Sequence, residues 1–169
     1  TRRRLLQAGG AATAYAAAPA LWPGAIGGAQ AQAMVDAVTY PPHGVRGVGS
    51  ALARASEFSG IADYLTTARD EICLIVQVEN RLGMDVLDDI LAVEGIDGVF
   101  IGPSDLAADM GFIGQAGAPE VKAAVLGAIE KIVKGGKAAG ILTLDQELQT
   151  QCRALGASFI ATEIDVTLF

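Results

Sequence analysis

Strand-length apolar runs recur along this chain, separated by segments of helical periodicity, and that alternation restricts the fold more than any other feature. The runs are "ICLIVQVE", "DGVFIG", "GILTL" and "SFIAT", preceded by a weaker "VRGVGS". Between and before them lie "AQAMVDAV", "IADYLTTARDE", "MDVLDDILAV", "SDLAADMG", "PEVKAAVLGAIEKIVKGGK" and "DQELQTQCRALG". Continuous apolar strands alternating with amphipathic helices predict an α/β fold with a parallel sheet and helices on its faces. In such a sheet every strand delivers its C-terminal end to the same rim.

Two of these runs end in a carboxylate, Glu79 after "ICLIVQV" and Asp105 after "GVFIGPS". A bare buried carboxylate costs several kcal/mol unless something positive meets it. Gln77 lies two residues before Glu79, so the strand period puts both side chains on one face. Asp105 has two readings: with Ser104 it caps the following helix, or it joins Glu79 at the rim. Two converging carboxylates without an adjacent cation repel, and a divalent ion between them relieves the repulsion. Oxygen-only ligation suits Mg²⁺, Mn²⁺ or Co²⁺ in octahedral geometry rather than tetrahedral zinc, with water and substrate completing the shell. A metal-free pair acting as general acid and base is the competitor, but no aromatic sugar platform accompanies it. Gly102 permits close backbone approach and Pro103 sets the turn, so the N–H groups of Ser104, Asp105 and Leu106 open a helix whose positive end attracts an anion. A 2-oxo acid held there brings its keto oxygen to the same ion.

Composition narrows the partners. The net charge is −7, with 12 Lys and Arg against 19 Asp and Glu, and no basic cluster interleaves with aromatics. That excludes the electrostatic footprint of a nucleic-acid binder and leaves small molecules. Cys73 and Cys152 show no ligand spacing and are expected as inert buried thiols. The N-terminus differs from the rest: "TRRRLLQAGGAATAYAAAPALWPGAIGGAQAQA" begins with arginines, continues through an Ala-rich stretch without acids, holds Trp22, the only tryptophan, and reaches small-x-small sites at Ala29–Ala31 and Ala31–Ala33. The expected organisation is a twin-arginine-like export signal over residues 1–31 and a folded domain over 32–169. Location would then be exported or periplasmic, and cytoplasmic if the segment is no signal. Its glycines and prolines break it too often for a stable membrane span.

Taken together, "YPPHGVRGVGSALARAS", "VQVEN", "EGIDGVFIGPSDLAADMG", "GKAAGIL" and "GASFIATEIDVTLF" resemble the HpcH/HpaI class II pyruvate aldolases, of which 4-hydroxy-2-oxoheptanedioate aldolase is the best-known type. The likeness covers residues 29–169. It implies a (β/α)₈ TIM barrel, of which this chain would hold about the last five βα units, and a homo-oligomer at full length. It also implies cleavage of 4-hydroxy-2-oxo acids to pyruvate and an aldehyde, with a divalent metal on Glu79 and Asp105 stabilising the enolate. Gln77 and the Gly102-Pro103-Ser104 backbone match the pyruvate-binding positions, and Arg46, Ser50 and Arg54 match a loop that shapes the aldehyde pocket.

The chain departs from that pattern in several places. The family's substrate-binding arginine and its His/Asp proton-transfer pair have no counterpart, so no catalytic residue is assigned. His43, in "YPPHG", is expected on the surface, and Glu163 stands where the family has a small uncharged residue. An unclosed parallel sheet would leave edges and an apolar interior exposed. Two other readings stay open: a non-catalytic exported fragment that binds a metal-chelated keto acid, and a citrate-lyase-like lyase acting on acyl-CoA esters.

Overall fold

The computed structural model describes residues 27–168. Their order is α1 (Gly28–Val38), two 3₁₀ turns (Ser50–Leu52 and Arg54–Ser56), α2 (Tyr64–Glu71), β1 (Ile75–Val78), α3 (Arg81–Asp85), α4 (Leu87–Leu91) and β2 (Gly98–Ile101). Then follow α5 (Pro103–Asp109), α6 (Pro119–Lys134), β3 (Ala138–Leu142), α7 (Gln146–Ala154), β4 (Phe159–Ala161) and α8 (Asp165–Leu168). The strands form one four-stranded sheet in the order β1-β2-β3-β4, and every pairing is parallel. This is the α/β fold with a parallel sheet that the alternation of strands and helices predicts.

One expected strand is missing from the sheet. "VRGVGS" is irregular, because the N–H groups of Val45 and Arg46 donate to Asp36 and Thr39 carbonyls at 2.8 and 2.9 Å. The segment is thereby tied back to the end of α1, and Gly47 and Gly49 weaken any strand preference it has. Four βα units are therefore described, where the sequence suggests five. The expected boundary after Ala31 also falls inside α1, whose Ala31 and Val35 belong to the core. The arginine-rich start and Trp22 lie outside the described residues, and no described helix is long and apolar enough to cross a membrane.

The two faces of the sheet are unlike. Val76, Val78, Val99, Ile101, Ala139 and Ile141 point into the helix-covered core and are at most 6 % exposed. The long helix α6 seals it with Val121, Val125, Ala128, Ile129 and Ile132, a spacing that lines one side of a 3.6-residue helix. Each such Val or Ile stabilises the fold by about 1.5–3 kcal/mol relative to leaving it in water. Pro119 opens α6, Glu120 faces its positive end, and Lys131 and Lys134 face its negative end. Gly136 terminates it at a left-handed φ of 76°, where the N–H groups of Gly136 and Lys137 close back on the carbonyls of Val133 and Ile132.

On the opposite face the register aligns Gln77, Phe100, Gly140 and Phe159 in one row across all four strands. The rings of Phe100 and Phe159 meet at 5.7 Å over Gly140, where a Cβ would lie 2.9 Å from each ring. Leu142 and Phe159 on this face are 38 % and 43 % exposed, so among the described residues its apolar surface stays open, as an unclosed barrel requires.

At the rim, α7 is held by Asp145, whose carboxylate accepts the N–H groups of Glu147 and Leu148 and pairs with Lys122 of α6 at 2.5 Å. The Lys122 side-chain hydrogen bond, with the Leu148 N–H behind it, holds the Asp145 carboxyl below its ordinary 3.8. A depressed carboxylate adds stability that is complete above the unfolded value and disappears as pH falls through the folded one. The urea midpoint should therefore drop between pH 5 and pH 3, and Asp145→Asn should drop less over that interval. An equal acid response in both proteins would show that the pair contributes nothing to it.

Candidate metal centre

Glu79 leaves the end of β1 half-buried, and Gln77 precedes it on the same, open face of the sheet. The Gln77 side-chain amide donates to Glu79 Oε2, which orients the carboxylate. The adjacent strand supplies the floor. Gly102 N–H donates to the Val78 carbonyl at 3.0 Å, and a Cβ at position 102 would lie 2.9 Å from Glu79 Cβ and 3.2 Å from Oε2. Only a glycine leaves that space to the Glu79 side chain.

Asp105 sits on the neighbouring strand's continuation, but not on a strand tip: it is exposed in the first turn of α5. Its side chain makes no cap to the helix that begins at Pro103. Of the three N–H groups expected to stand open there, Leu106's is already committed, since it donates to the Gly102 carbonyl at 3.1 Å. Pro103 has no N–H and is buried, while Ser104 and Asp105 are exposed.

Two residues that local sequence patterning does not single out brace this arrangement. Asp109 Oδ2 accepts the backbone N–H of Arg81 at 2.7 Å and its Nε at 3.2 Å, tying the loop after Glu79 to α5. The Arg81 backbone hydrogen bond is the main reason the Asp109 carboxyl lies below its ordinary value. Asn80 caps α3 by accepting Gly83 N–H at 2.7 Å. A faint signal for Asp109 does exist in "SDLAAD", because a carboxylate four residues after Asp105 shares its helix face.

Arg46, which the resemblance places at the aldehyde pocket, packs against aromatics. Its guanidinium lies 4.6 Å from the Tyr40 ring centroid and donates to Tyr64 Oη at 3.3 Å, while Nη1 is buried without a partner among the described residues. Burial raises the Tyr40 hydroxyl above its ordinary value, partly offset by the charge of Arg46. Ser50 opens the first 3₁₀ turn, where its carbonyl accepts the Ser56 hydroxyl, and Arg54 is exposed in the second. His43 is exposed, and both cysteines are buried and outside any disulfide, with burial pushing the Cys152 thiol up.

Among the described residues no three His, Cys, Asp or Glu side chains converge on one point. At the rim the carboxylates of Glu79, half-buried after β1, and of Asp105, exposed in the first turn of α5, offer a hard all-oxygen donor set. That set fits a divalent cation of the Mg²⁺, Mn²⁺ or Co²⁺ kind, with water and ligand oxygens filling the other positions.

Residues 21–169 match the family profile for HpcH/HpaI aldolase/citrate lyase. Over 139 residues the chain is 58 % identical to a hydroxypyruvate/pyruvate aldolase of Deinococcus radiodurans, covering 82 % of this chain and 50 % of that protein. A namesake from Agrobacterium fabrum is 56 % identical over 140 residues, 83 % of this chain and 53 % of its own. A 4-hydroxy-2-oxo-heptane-1,7-dioate aldolase of Escherichia coli is 52 % identical over 139 residues, 82 % of this chain and 53 % of its own. Among solved structures, an HpcH/HpaI aldolase/citrate lyase family protein from Burkholderia cenocepacia superimposes with a TM-score of 0.78 at 34 % identity, covering 86 % of this chain and 58 % of that one. The chain thus spans about half the length of the curated relatives it matches.

Proposed function

The chain belongs to the HpcH/HpaI aldolase/citrate lyase family, and from that footing we propose that it carries the metal- and pyruvate-binding half of an aldolase. The reaction class is carbon–carbon cleavage of a 4-hydroxy-2-oxo acid to pyruvate and an aldehyde, and its reverse. The observation that carries the reading is the cradle at the rim, where Gln77 orients Glu79 against the bare backbone of Gly102. The names of relatives above 50 % identity point the same way.

A divalent cation at Glu79 and Asp105 would supply positive charge where an oxyanion develops on the keto oxygen of the substrate. Each protein group has its own task. Glu79 and Asp105 would hold the cation by carboxylate oxygens, and Gln77 fixes the rotamer of Glu79 by its amide hydrogen bond. Ser104 and Asp105 offer backbone N–H groups toward the carboxylate of the substrate. Gly102 leaves the space in which Glu79 and Gln77 pack. Arg81 and Asp109 hold the β1–α3 loop and α5 in one geometry. Arg46, Ser50 and Arg54 remain proposed for the aldehyde side.

Titration calorimetry with pyruvate tests the reading, because it reports the chelation assigned to Glu79 and Asp105 without needing a proton acceptor. Pyruvate should bind only with Mg²⁺ or Mn²⁺ present, be released on chelation of the metal, and fail to bind Glu79→Ala and Asp105→Ala. Absence of binding with metal present, metal-independent binding, or binding that survives either substitution would refute it.

A further inference from the structure

Asp109, the last residue of α5, bonds to the main chain of a segment 28 positions earlier. Its Oδ2 accepts the Arg81 N–H at 2.7 Å and the Arg81 Nε at 3.2 Å. The main-chain bond is the shorter, and it comes ahead of the guanidinium among the causes that hold the Asp109 carboxyl low. The Arg81 side chain is 68 % exposed, and an ion pair so open to water adds little to stability. Arg81 stands two residues after Glu79, however, and Asp109 stands one helical turn after Asp105 on the same face of α5. On the other side of each carboxylate the chain is already pinned, because the Gly102 N–H donates to the Val78 carbonyl at 3.0 Å. The clasp therefore sets each carboxylate between two fixed points, Glu79 between Val78 and Arg81, and Asp105 between Gly102 and Asp109.

We propose that Asp109 is a positioning residue: acting through the Arg81 main chain, it fixes the spacing of Glu79 and Asp105 and so keeps the centre selective for Mg²⁺ over Ca²⁺. This rests on the reading of Glu79 and Asp105 as the metal centre. The two ions place different demands on the same oxygens. Mg²⁺ requires near-ideal octahedral geometry at about 2.0–2.1 Å, whereas Ca²⁺ accepts a looser shell of about six to eight oxygens at about 2.3–2.6 Å. Carboxylates that drift apart therefore lose Mg²⁺ before they lose Ca²⁺. Groups that support a metal ligand from behind change affinity by about 10- to 100-fold, and a clasp exposed to water belongs at the lower end of that range.

Displacement of Mn²⁺ from the full chain by Mg²⁺ and by Ca²⁺, followed by electron paramagnetic resonance, measures both affinities without requiring turnover. Asp109→Ala should lower the Mg²⁺ affinity about tenfold and the Ca²⁺ affinity by less than about threefold. Arg81→Pro removes the same bond from the donor side and should shift the ratio alike. Proline suits that position, the first of α3, and the extended backbone of Asn80 before it. Either variant suffices if the other fails to fold. Arg81→Ala keeps the N–H and gives up only the exposed Nε contact, so the ratio should move by about twofold at most. Equal losses of Mg²⁺ and Ca²⁺, an unchanged Mg²⁺ affinity, or a shift in Arg81→Ala as large as in Arg81→Pro overturns this inference and spares the metal centre, provided that Glu79→Ala still abolishes binding. Absence of Mn²⁺ binding, or binding indifferent to Glu79→Ala, overturns the metal centre and this inference with it.

Discussion

Gly102→Ala is expected to weaken Mn²⁺ binding by about 10- to 100-fold, the range seen when the support of a metal ligand is removed. The added methyl would stand 2.9 Å from Glu79 Cβ and 3.0 Å from Gln77 Nε2, closer than carbon contacts allow. Glu79 Cβ is next to the backbone and cannot swing aside, so the strand end itself must yield and carry the carboxylate away from Asp105. Overpacking of this kind also costs about 1–3 kcal/mol of stability. Titrating Mn²⁺ by its electron paramagnetic resonance signal, together with a urea melt, separates the two effects. Unchanged Mn²⁺ affinity in a folded Gly102→Ala protein would show that the cradle does not position Glu79.

The largest stability effect is expected at Leu106, which has no exposed surface and anchors α5 to the core. Leu106→Ala removes most of a buried side chain and leaves a cavity, a change that costs about 2–5 kcal/mol. The helix it loosens carries Asp105 and Asp109, so Mn²⁺ affinity should fall alongside the urea midpoint. Ser104→Ala, two residues earlier and exposed, should alter stability by no more than about 0.5 kcal/mol. Equal urea midpoints for Leu106→Ala and the unmodified chain would mean that α5 is not held by this contact.

Much of the architecture was legible because the core obeys local patterning. The apolar runs around Val76, Val99, Ile141 and Ile160 form strands, and the i, i+4, i+7, i+8 spacing from Val121 to Ile129 forms the helix that covers them. The "VRGVGS" segment misled because its two valines suit a strand while its hydrogen bonds run to α1, which no local pattern reveals. "MDVLDDILAV" reads as one helix but divides at Val86, with α3 ending at Asp85 and α4 starting at Leu87.

For the candidate centre, the residues alone nominated Glu79, Asp105, Gln77 and Gly102, because polar side chains and a bare glycine at the ends of buried strands contribute little to packing. Residue type and strand period are local properties, and a single sequence displays them. What only the tertiary structure decided is that Glu79 packs over Gly102 and that Asp109 clasps Arg81 across 28 positions of chain. Those contacts arise from strand register and helix docking, which depend on residues far apart in the chain closing together, and no stretch read by itself carries that information.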